Sequence, residues 1–275
     1  MIIKKKSLVS VVMITYGHEK FIAEAINGVL KQECDFSIEL IIANDCSPDT
    51  TDLVVKKIIE EHPNRNWIKY VKHEKNIGMM PNFIFALKEA QGKYIALCEG
   101  DDYWTDPLKL QKQVDFLEAN LDFSMCFHSV KIIGSIKDFS YFFKIPTKSI
   151  IMIEDIIVDH YIPTCSLVFR KKFLPKVFPN WFQFSIVGDI PLEILLAVNG
   201  PVKYIDKKMG AYRKHDGGIT FNKERRKNVR VGLIKLYKSL NKHLNYKYWL
   251  LFFVVINKHR LGILKDRLGM SSNIE

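Results

Sequence analysis

Three carboxylates follow a buried apolar run within four residues. Residues 93–107, KYIALCEGDDYWTDP, place Glu99, Asp101 and Asp102 around Gly100, directly after the run YIALC. Like charges this close raise one another's pKa unless a cation lies among them. Carboxylate oxygens are ligands that Mg²⁺ and Mn²⁺ accept, with phosphate oxygens often completing the shell. The pattern indicates a divalent-cation site, and the alternative is a solvated acidic turn after a strand.

The chain that leads to this stretch alternates strand and helix patterns. Strands are predicted at 8–14, 37–42, 67–71 and 94–98, and helices at 19–32, from Asp49 or Thr50 to 62, and at 81–91. This alternation is typical of a parallel α/β sheet, whose ligands bind at the carboxyl ends of the strands. Polar pairs follow two more strands, Thr15-Tyr16 and Asn44-Asp45. We therefore predict one functional site along this edge of the sheet.

Beyond residue 107 the pattern becomes less regular. Pro107 is expected at the first position of a helix to 119, capped by Thr105 or Asp106. Later elements are predicted as a strand at 123–133, an irregular segment at 134–153, a strand at 164–170, a helix after Gly188-Asp189 that ends at Gly200, separate segments VKYID and MGAYRKHDGG, and a basic helix from 223 to 244.

Composition limits the class of protein. The 275 residues are 48% hydrophobic, which is typical of an ordered globular chain. Five cysteines, an odd number without C-x-x-C spacing, favour free thiols in a reducing compartment over disulfides or a zinc site. The apolar run near the amino terminus is interpreted as the first strand and not as a signal peptide. These features predict a cytoplasmic protein.

The positive charge is concentrated at the carboxyl-terminal end. Residues 223–275 hold 13 Lys and Arg against 3 Asp and Glu, so they carry +10 of the formal net charge of +11. The first half reads as an amphipathic helix with Val229, Leu233, Leu236 and Leu240 on its apolar side. The nine apolar residues 248–256 are too few to span a bilayer. Two interpretations remain: an interfacial helix on anionic lipid, or packing on the catalytic domain or a second copy in a homodimer. A nucleic acid partner is disfavoured, since no recognised motif accompanies the charge.

Several motifs in order make the chain resemble the family 2 glycosyltransferases over about residues 7–222. They are VSVVMITYGHEKFIAEAINGVLKQ, ELIIANDCSPDTT, NIGMMPN, CEGDDYW, Gly188-Asp189 and YRKH. Two positions depart from the family pattern: Gly17 stands where Asn is frequent, and Glu99 stands where the D-x-D motif begins with Asp. The resemblance implies a GT-A fold, an α/β Rossmann-like and mainly parallel sheet flanked by helices. The domains would be residues 1–222 and a basic helical extension, 223–275.

The resemblance also implies sugar transfer with inversion from a nucleoside diphosphate sugar, with Mg²⁺ or Mn²⁺ as cofactor. Asp101 would ligate the metal, Asp102 would support it, and Glu99 would contact the ribose. Asp189 would be the general base, with Glu193 one turn later as a second candidate. The remaining expected contacts to the nucleotide-sugar or the metal are Thr15, Tyr16, Asp45 (to the N–H of a base such as uracil), Asn76, Gly78, Asn82, Gly100, Arg213 and His215.

Several of the candidate residues have a structural alternative. Asp45 before Ser-Pro suits an Asx turn that caps the next helix, and Asp189 suits an N-cap. His215 and Asn82 are also compatible with plain surface positions. Trp104 is either an acceptor-stacking platform or a core residue, and the core interpretation is slightly favoured.

The expected function is transfer of a sugar, from a UDP-sugar, to a glycan or lipid-linked acceptor in cell-surface polysaccharide synthesis. The enzyme would act in the cytoplasm, docked at the inner face of the membrane. The alternative is a non-catalytic nucleotide-sugar-binding subunit. A nucleotidyltransferase is disfavoured because its Gly-rich, Lys-bearing loop is missing, and an oxidoreductase because no G-x-G-x-x-G follows the first strand.

Overall fold

The computed structural model describes residues 8–134, 143–215 and 223–268, without the side chains of 223–227. The strands are β1 Val9–Thr15, β2 Ile38–Asn44, β3 Ile68–Lys72, β4 Tyr94–Leu97, β5 Tyr103–Trp104, β6 Met125–Gly134, β7 Ile150–Ile151, β8 Val168–Arg170 and β9 Val202–Lys214. The helices are α1 Ile22–Leu30, α2 Thr51–Glu61, α3 Met79–Glu89, α4 Lys109–Ala119, α5 Ile153–Val158, α6 Asp189–Ala197, α7 Lys223–His243 and α8 Trp249–Arg267.

The described strands form a single sheet in the order β3-β2-β1-β4-β8-β6-β9-β5, and β7 also pairs with β9. The first four strands are parallel, as the alternating pattern predicts, and β8 then pairs antiparallel with β4 and β6. Thr15 is the register partner of Asn44, so β1 and β2 end side by side. The backbone N of Gly100 donates to Ile14 O at 3.0 Å, which carries the acidic turn along the same edge.

Helices cover both faces of the sheet. Val9, Val11 and Met13 of β1 point to α1, α2 and α4, whereas Val12 packs with α3 and α6. Residues that alternate between two buried faces explain why β1 is apolar along its whole length. This arrangement agrees with the GT-A fold that the family resemblance implies.

Three local expectations were wrong. Helix α4 begins at Lys109 with Leu108 as its N-cap, because the backbone N of Thr105 donates to Met209 O at 3.0 Å and keeps this segment extended. Residues 164–170 contain a 3₁₀ turn before the short β8. The segments VKYID and MGAYRKHDGG are continuous in β9 as far as Lys214. The second of them ends at residues outside the described part of the chain.

The carboxyl-terminal helices pack on the rest of the protein. Leu233, Leu236 and Leu240 of α7 are buried in the same cluster as α6, and Phe252 and Val255 of α8 join it. The division at residue 222 stays a prediction. Among the described helices, none combines the length and the apolar character that a bilayer crossing needs.

A buried lysine lies within the core beneath β5. The Lys109 Nζ lies 3.8 Å from the centroid of the Trp104 ring and has no hydrogen-bond partner among the described residues. Burial lowers the pKa of Lys109 to about 8. Trp104 is itself buried and donates from Nε1 to Cys165 O at 2.7 Å, which confirms the core interpretation of this residue.

Lys109 should make stability depend on pH in a defined direction. Its pKa is lower in the folded state than the ordinary 10.5, so the unfolded chain binds more protons between these values. The free energy of unfolding is therefore highest above the ordinary pKa, where Lys109 is neutral in both states. It decreases as the pH falls from 10.5 to about 8, because the unfolded chain then takes up the proton first. We expect K109M to be more stable than the parent near neutral pH. The difference between their free energies of unfolding should decrease by about 3 kcal/mol towards pH 10. Urea unfolding of both proteins across this pH range measures this difference. A difference that stays constant would contradict the lowered pKa of Lys109.

Candidate active site

The acidic turn is built directly against the end of β1. A Cβ at position 100 would lie 2.8 Å from Thr15 Oγ1 and 2.9 Å from His18 Nδ1, so only glycine allows this close approach without displacing them. Gly17, in the loop that follows β1, has a φ of 72°, a conformation that glycine and asparagine tolerate. The departure from the family's usual asparagine therefore preserves the backbone shape.

Asp101 lies between two histidines. Its Oδ2 is 3.0 Å from His215 Nε2 and 3.8 Å from His18 Nε2. One ligand atom from each of the three residues lies within 4.8 Å of the others, and no other group of this kind occurs among the described residues. His215 is therefore placed at Asp101, and its surface alternative is wrong. His18 joins the pair although the sequence analysis assigned it no role.

The three carboxylates have different electrostatic surroundings. Burial opposes the charge on Asp101, but the hydrogen bond with His215 and the nearby His18 outweigh it and lower the pKa. Burial raises the pKa of Glu99, and the charges of Asp101, Asp102 and Asp189 add to the increase. Burial likewise raises the pKa of Asp102, followed by the charge of Asp101. The turn thus concentrates negative charge for which a cation would be the natural partner.

Arg213 binds the acidic turn from β9. Its backbone N donates to Asp102 Oδ1 at 2.7 Å, and its Nε donates to Asp101 O at 2.8 Å. The guanidinium also pairs with Glu24 at 2.6 Å and lies over the Phe21 ring, 4.7 Å from its centroid. In this arrangement Arg213 fixes the turn in place. Its predicted contact with phosphate stays a prediction.

Asp45 joins the end of β2 to the start of α3. Its carboxylate accepts hydrogen bonds from the backbone N of Ile77 at 2.7 Å and of Gly78 at 2.9 Å, and Gly78 is the N-cap of α3. Asp45 does not cap α2, so the Asx-turn alternative is wrong. Each carboxylate oxygen keeps a second lone pair. The predicted contact between Asp45 and a nucleobase therefore stays compatible with this geometry.

Other residues predicted near the nucleotide differ in exposure. Asn82 is buried, donating to Ala43 O at 2.9 Å with its Oδ1 2.9 Å from His73 Nε2, so its surface alternative is wrong. Asn76 and Tyr16 are exposed, and Thr15 is buried with its Oγ1 unpaired among the described residues. Both ends of the Asn82 amide are thus occupied within the protein, whereas Asn76 and Tyr16 are open to a ligand.

Asp189 is the first residue of α6, and Gly188 is the N-cap, so the N-cap alternative for Asp189 is wrong. Its Oδ1 accepts from the backbone N of Ile190 at 2.8 Å, and its Oδ2 lies 3.9 Å from His160 Nε2. Asp189 is close enough to raise the pKa of Glu99, after burial and the charges of Asp101 and Asp102. The charge at the start of α6 therefore acts on the acidic turn.

The family of the chain follows from a comparison with protein-family models. The model described as glycosyl transferase family 2 matches residues 10–174. The chain belongs to this family. A 34% identical relative, an uncharacterized protein of Mycobacterium tuberculosis, aligns over 218 residues, which are 76% of this chain and 60% of that protein. The chain thus spans three fifths of that relative's length. The minor teichoic acid biosynthesis protein GgaB of Bacillus subtilis is 36% identical over 94 residues, 34% of this chain and 10% of that protein.

Two solved structures have the same fold as this chain. TarS of S. aureus, in complex with UDP-GlcNAc, aligns with a TM-score of 0.60 at 22% identity, covering 82% of this chain and 66% of TarS. The mannosyltransferase PcManGT of Pyrobaculum calidifontis, in complex with GDP-Man and Mn²⁺, aligns with a TM-score of 0.63 at 15% identity, covering 87% and 65%. At these identities the likeness establishes the fold.

Two residues of the candidate site were missed by the sequence analysis. His18 stands inside the first quoted motif, and a histidine just beyond a strand end that carries Thr15 and Tyr16 was the available signal. His160 comes from the part of the chain with no regular pattern, so the sequence offered no comparable signal.

Glu193 is buried, and burial followed by the charge of Asp189 raises its pKa.

Asp45 should contribute strongly to the stability of this edge of the sheet. In D45N one carboxylate oxygen becomes an NH₂ group that faces a backbone N–H, so one partly buried backbone donor loses its acceptor. We expect a decrease of about 2 kcal/mol in the free energy of unfolding. Urea unfolding of D45N, beside D35N at an exposed position, measures this. Equal stability of the two variants would contradict the structural role of Asp45.

Proposed function

We propose that the protein is an inverting glycosyltransferase that transfers a sugar from a nucleoside diphosphate sugar, a UDP-sugar in the first instance, to an acceptor hydroxyl. The observation that carries the proposal is the convergence of His18, Asp101 and His215 at the acidic turn, where the charge of Asp189 also acts on Glu99. UDP-GlcNAc is bound in TarS and GDP-Man in PcManGT, which supports a nucleotide-sugar donor.

The residues at the acidic turn suit a divalent cation. His18, Asp101 and His215 would hold it through Nε2, Oδ2 and Nε2, atoms that already converge. Two imidazoles and one carboxylate suit Mn²⁺ better than Mg²⁺, which prefers an all-oxygen shell. Such an ion, when bound, neutralises the negative charge that develops on the departing diphosphate. Asp102 and Arg213 would then hold the turn that presents Asp101.

Asp189 would act as the general base. Its Oδ1 accepts a hydrogen bond from the backbone N of Ile190, so Oδ2 is the oxygen that would take a proton from the acceptor hydroxyl. The proton passes from that hydroxyl to Asp189 as the hydroxyl oxygen bonds to the anomeric carbon and the bond to the diphosphate breaks. A single displacement of this kind inverts the anomeric centre. Glu193 lies on the same helix, but its side chain is buried.

The donor and acceptor assignments extend the proposal. Asp45 would accept from the N–H of the base, Glu99 would contact the ribose, and Thr15, Tyr16, Asn76 and Gly78 would line the nucleotide pocket. The acceptor would be a glycan or lipid-linked sugar of a surface polysaccharide, in keeping with the relative GgaB. A reaction of this kind would take place at the cytoplasmic side of the cell membrane.

If His18 and His215 hold the metal ion, replacing either of them should weaken metal binding, which is measured independently of catalysis. We expect H18Q and H215Q to bind Mn²⁺ at least about tenfold more weakly in the presence of UDP, because each removes one of three ligands. Titration followed by the electron paramagnetic resonance of free Mn²⁺ measures this. The control is H243Q, at an exposed position far along the chain. Unchanged affinity in H18Q would exclude His18 as a ligand.

The base assignment predicts loss of turnover without loss of donor binding. We expect D189N to lower kcat by about 10²–10⁴-fold, because the amide cannot accept the proton. The release of UDP from UDP-sugars with Mn²⁺ measures kcat, and thermal stabilisation by UDP reports binding. D206N, at an exposed position, and E193Q serve as controls. If E193Q loses turnover and D189N does not, the base is Glu193.

A further inference from the structure

Helix α8 has two apolar faces on opposite sides. The inner face packs on the protein: Phe252, Val255 and Ile256 are buried. The Tyr237 ring of α7 lies 6.0 Å from the ring of Phe252 and stacks on His259 at 5.8 Å. This face accounts for the stability of α8 on the protein and needs no further partner.

The outer face of α8 is also apolar and is exposed. Its residues follow steps of three and four, so they align on one side of a helix with 3.6 residues per turn. They are Leu250, Phe253, Leu261, Leu264 and Leu268, flanked by Trp249 and Val254, each between 50% and 64% exposed. We call these seven residues the outer stripe. From residue 250 to 268 it extends about 27 Å along the helix. Contiguous apolar surface of this kind on a protein usually marks a binding surface.

Cations border the outer stripe on both sides. At 3.6 residues per turn, Lys258 and Lys265 fall along one edge and Arg260 and Arg267 along the other. All four are exposed. One polar residue, Asn257, lies within the stripe and accepts a hydrogen bond from Arg260 Nη1 at 3.2 Å.

The single acidic residue of α8 is turned away from the stripe. Asp266 Oδ2 lies 3.3 Å from Nε of Arg230, a buried residue of α7. The outer face therefore combines apolar side chains and positive charge with no carboxylate from its own helix.

We propose that the outer stripe lies in the headgroup region of an anionic lipid bilayer, with the axis of α8 parallel to the membrane plane. Apolar side chains and a tryptophan would enter the boundary of the acyl chains, and the bordering Lys and Arg would contact lipid phosphates. A second copy of the chain is a poorer partner, since pairing two such faces would bring the bordering cations together. The proposal assigns membrane contact to α8, because the apolar side of α7 is already buried.

Vesicle flotation with the full chain tests this. The parent should float with vesicles rich in phosphatidylglycerol and far less with phosphatidylcholine alone, and high salt should weaken the binding. F253E/L261E places two acids in the stripe and should reduce the partition coefficient at least about tenfold. The matched control is L53E/V177E, which adds the same charge at exposed apolar positions 53 and 177.

A second variant and a solution measurement make the test complete. K258Q/R260Q leaves the stripe apolar and should bind anionic vesicles more weakly while its circular dichroism stays unchanged. Failure of the parent to float with anionic vesicles, or equal binding by F253E/L261E, would overturn the proposal. Light scattering after size exclusion separates the rival partner: a dimeric parent and a monomeric F253E/L261E would show that a second copy covers the stripe. None of these readouts depends on glycosyl transfer.

Discussion

The repulsion among Glu99, Asp101 and Asp102 is the constraint on which the site depends. Three carboxylates in one turn, with Asp102 buried and Glu99 and Asp101 partly buried, would separate or take up protons unless donors and positive groups surrounded them. The protein supplies His215 and His18 to Asp101, and the backbone N of Arg213 to Asp102. The electrostatic balance of one turn thus decides how the first loop and β9 must be placed.

The same constraint links the two halves of the sheet. The parallel half delivers the turn, because the backbone N of Gly100 bonds to Ile14 O beside the end of β1. The second half delivers the groups that stabilise it, since β9 carries Arg213 to the turn and leads directly to His215. Neither half alone contains a complete set of charges.

Much of this arrangement was predictable because it is local. Strands such as β1, buried on both faces, are written as unbroken apolar runs, and the polar residues after them mark the edge that binds ligands. The sequence did not show how side chains and loops are oriented where the orientation depends on residues far away in the chain. The position of Asp45 depends on the start of α3, and Thr105 is held extended by Met209. His18 was missed because its approach to Asp101 depends on how closely Gly100 passes β1. In α8, two opposed apolar faces cancel the periodicity that usually reveals an amphipathic helix, so the outer stripe appears only once the inner face is known.

The long separation between Asp101 and His215 has a consequence for how the protein is made. During synthesis the parallel strands and the acidic turn emerge more than a hundred residues before the histidine that pairs with Asp101. Contacts between such distant positions form late, because the loop between them must close first. An incomplete chain would therefore hold the acidic turn without His215 and Arg213 to offset its negative charge. The residues of the candidate site therefore come together only with the completed fold.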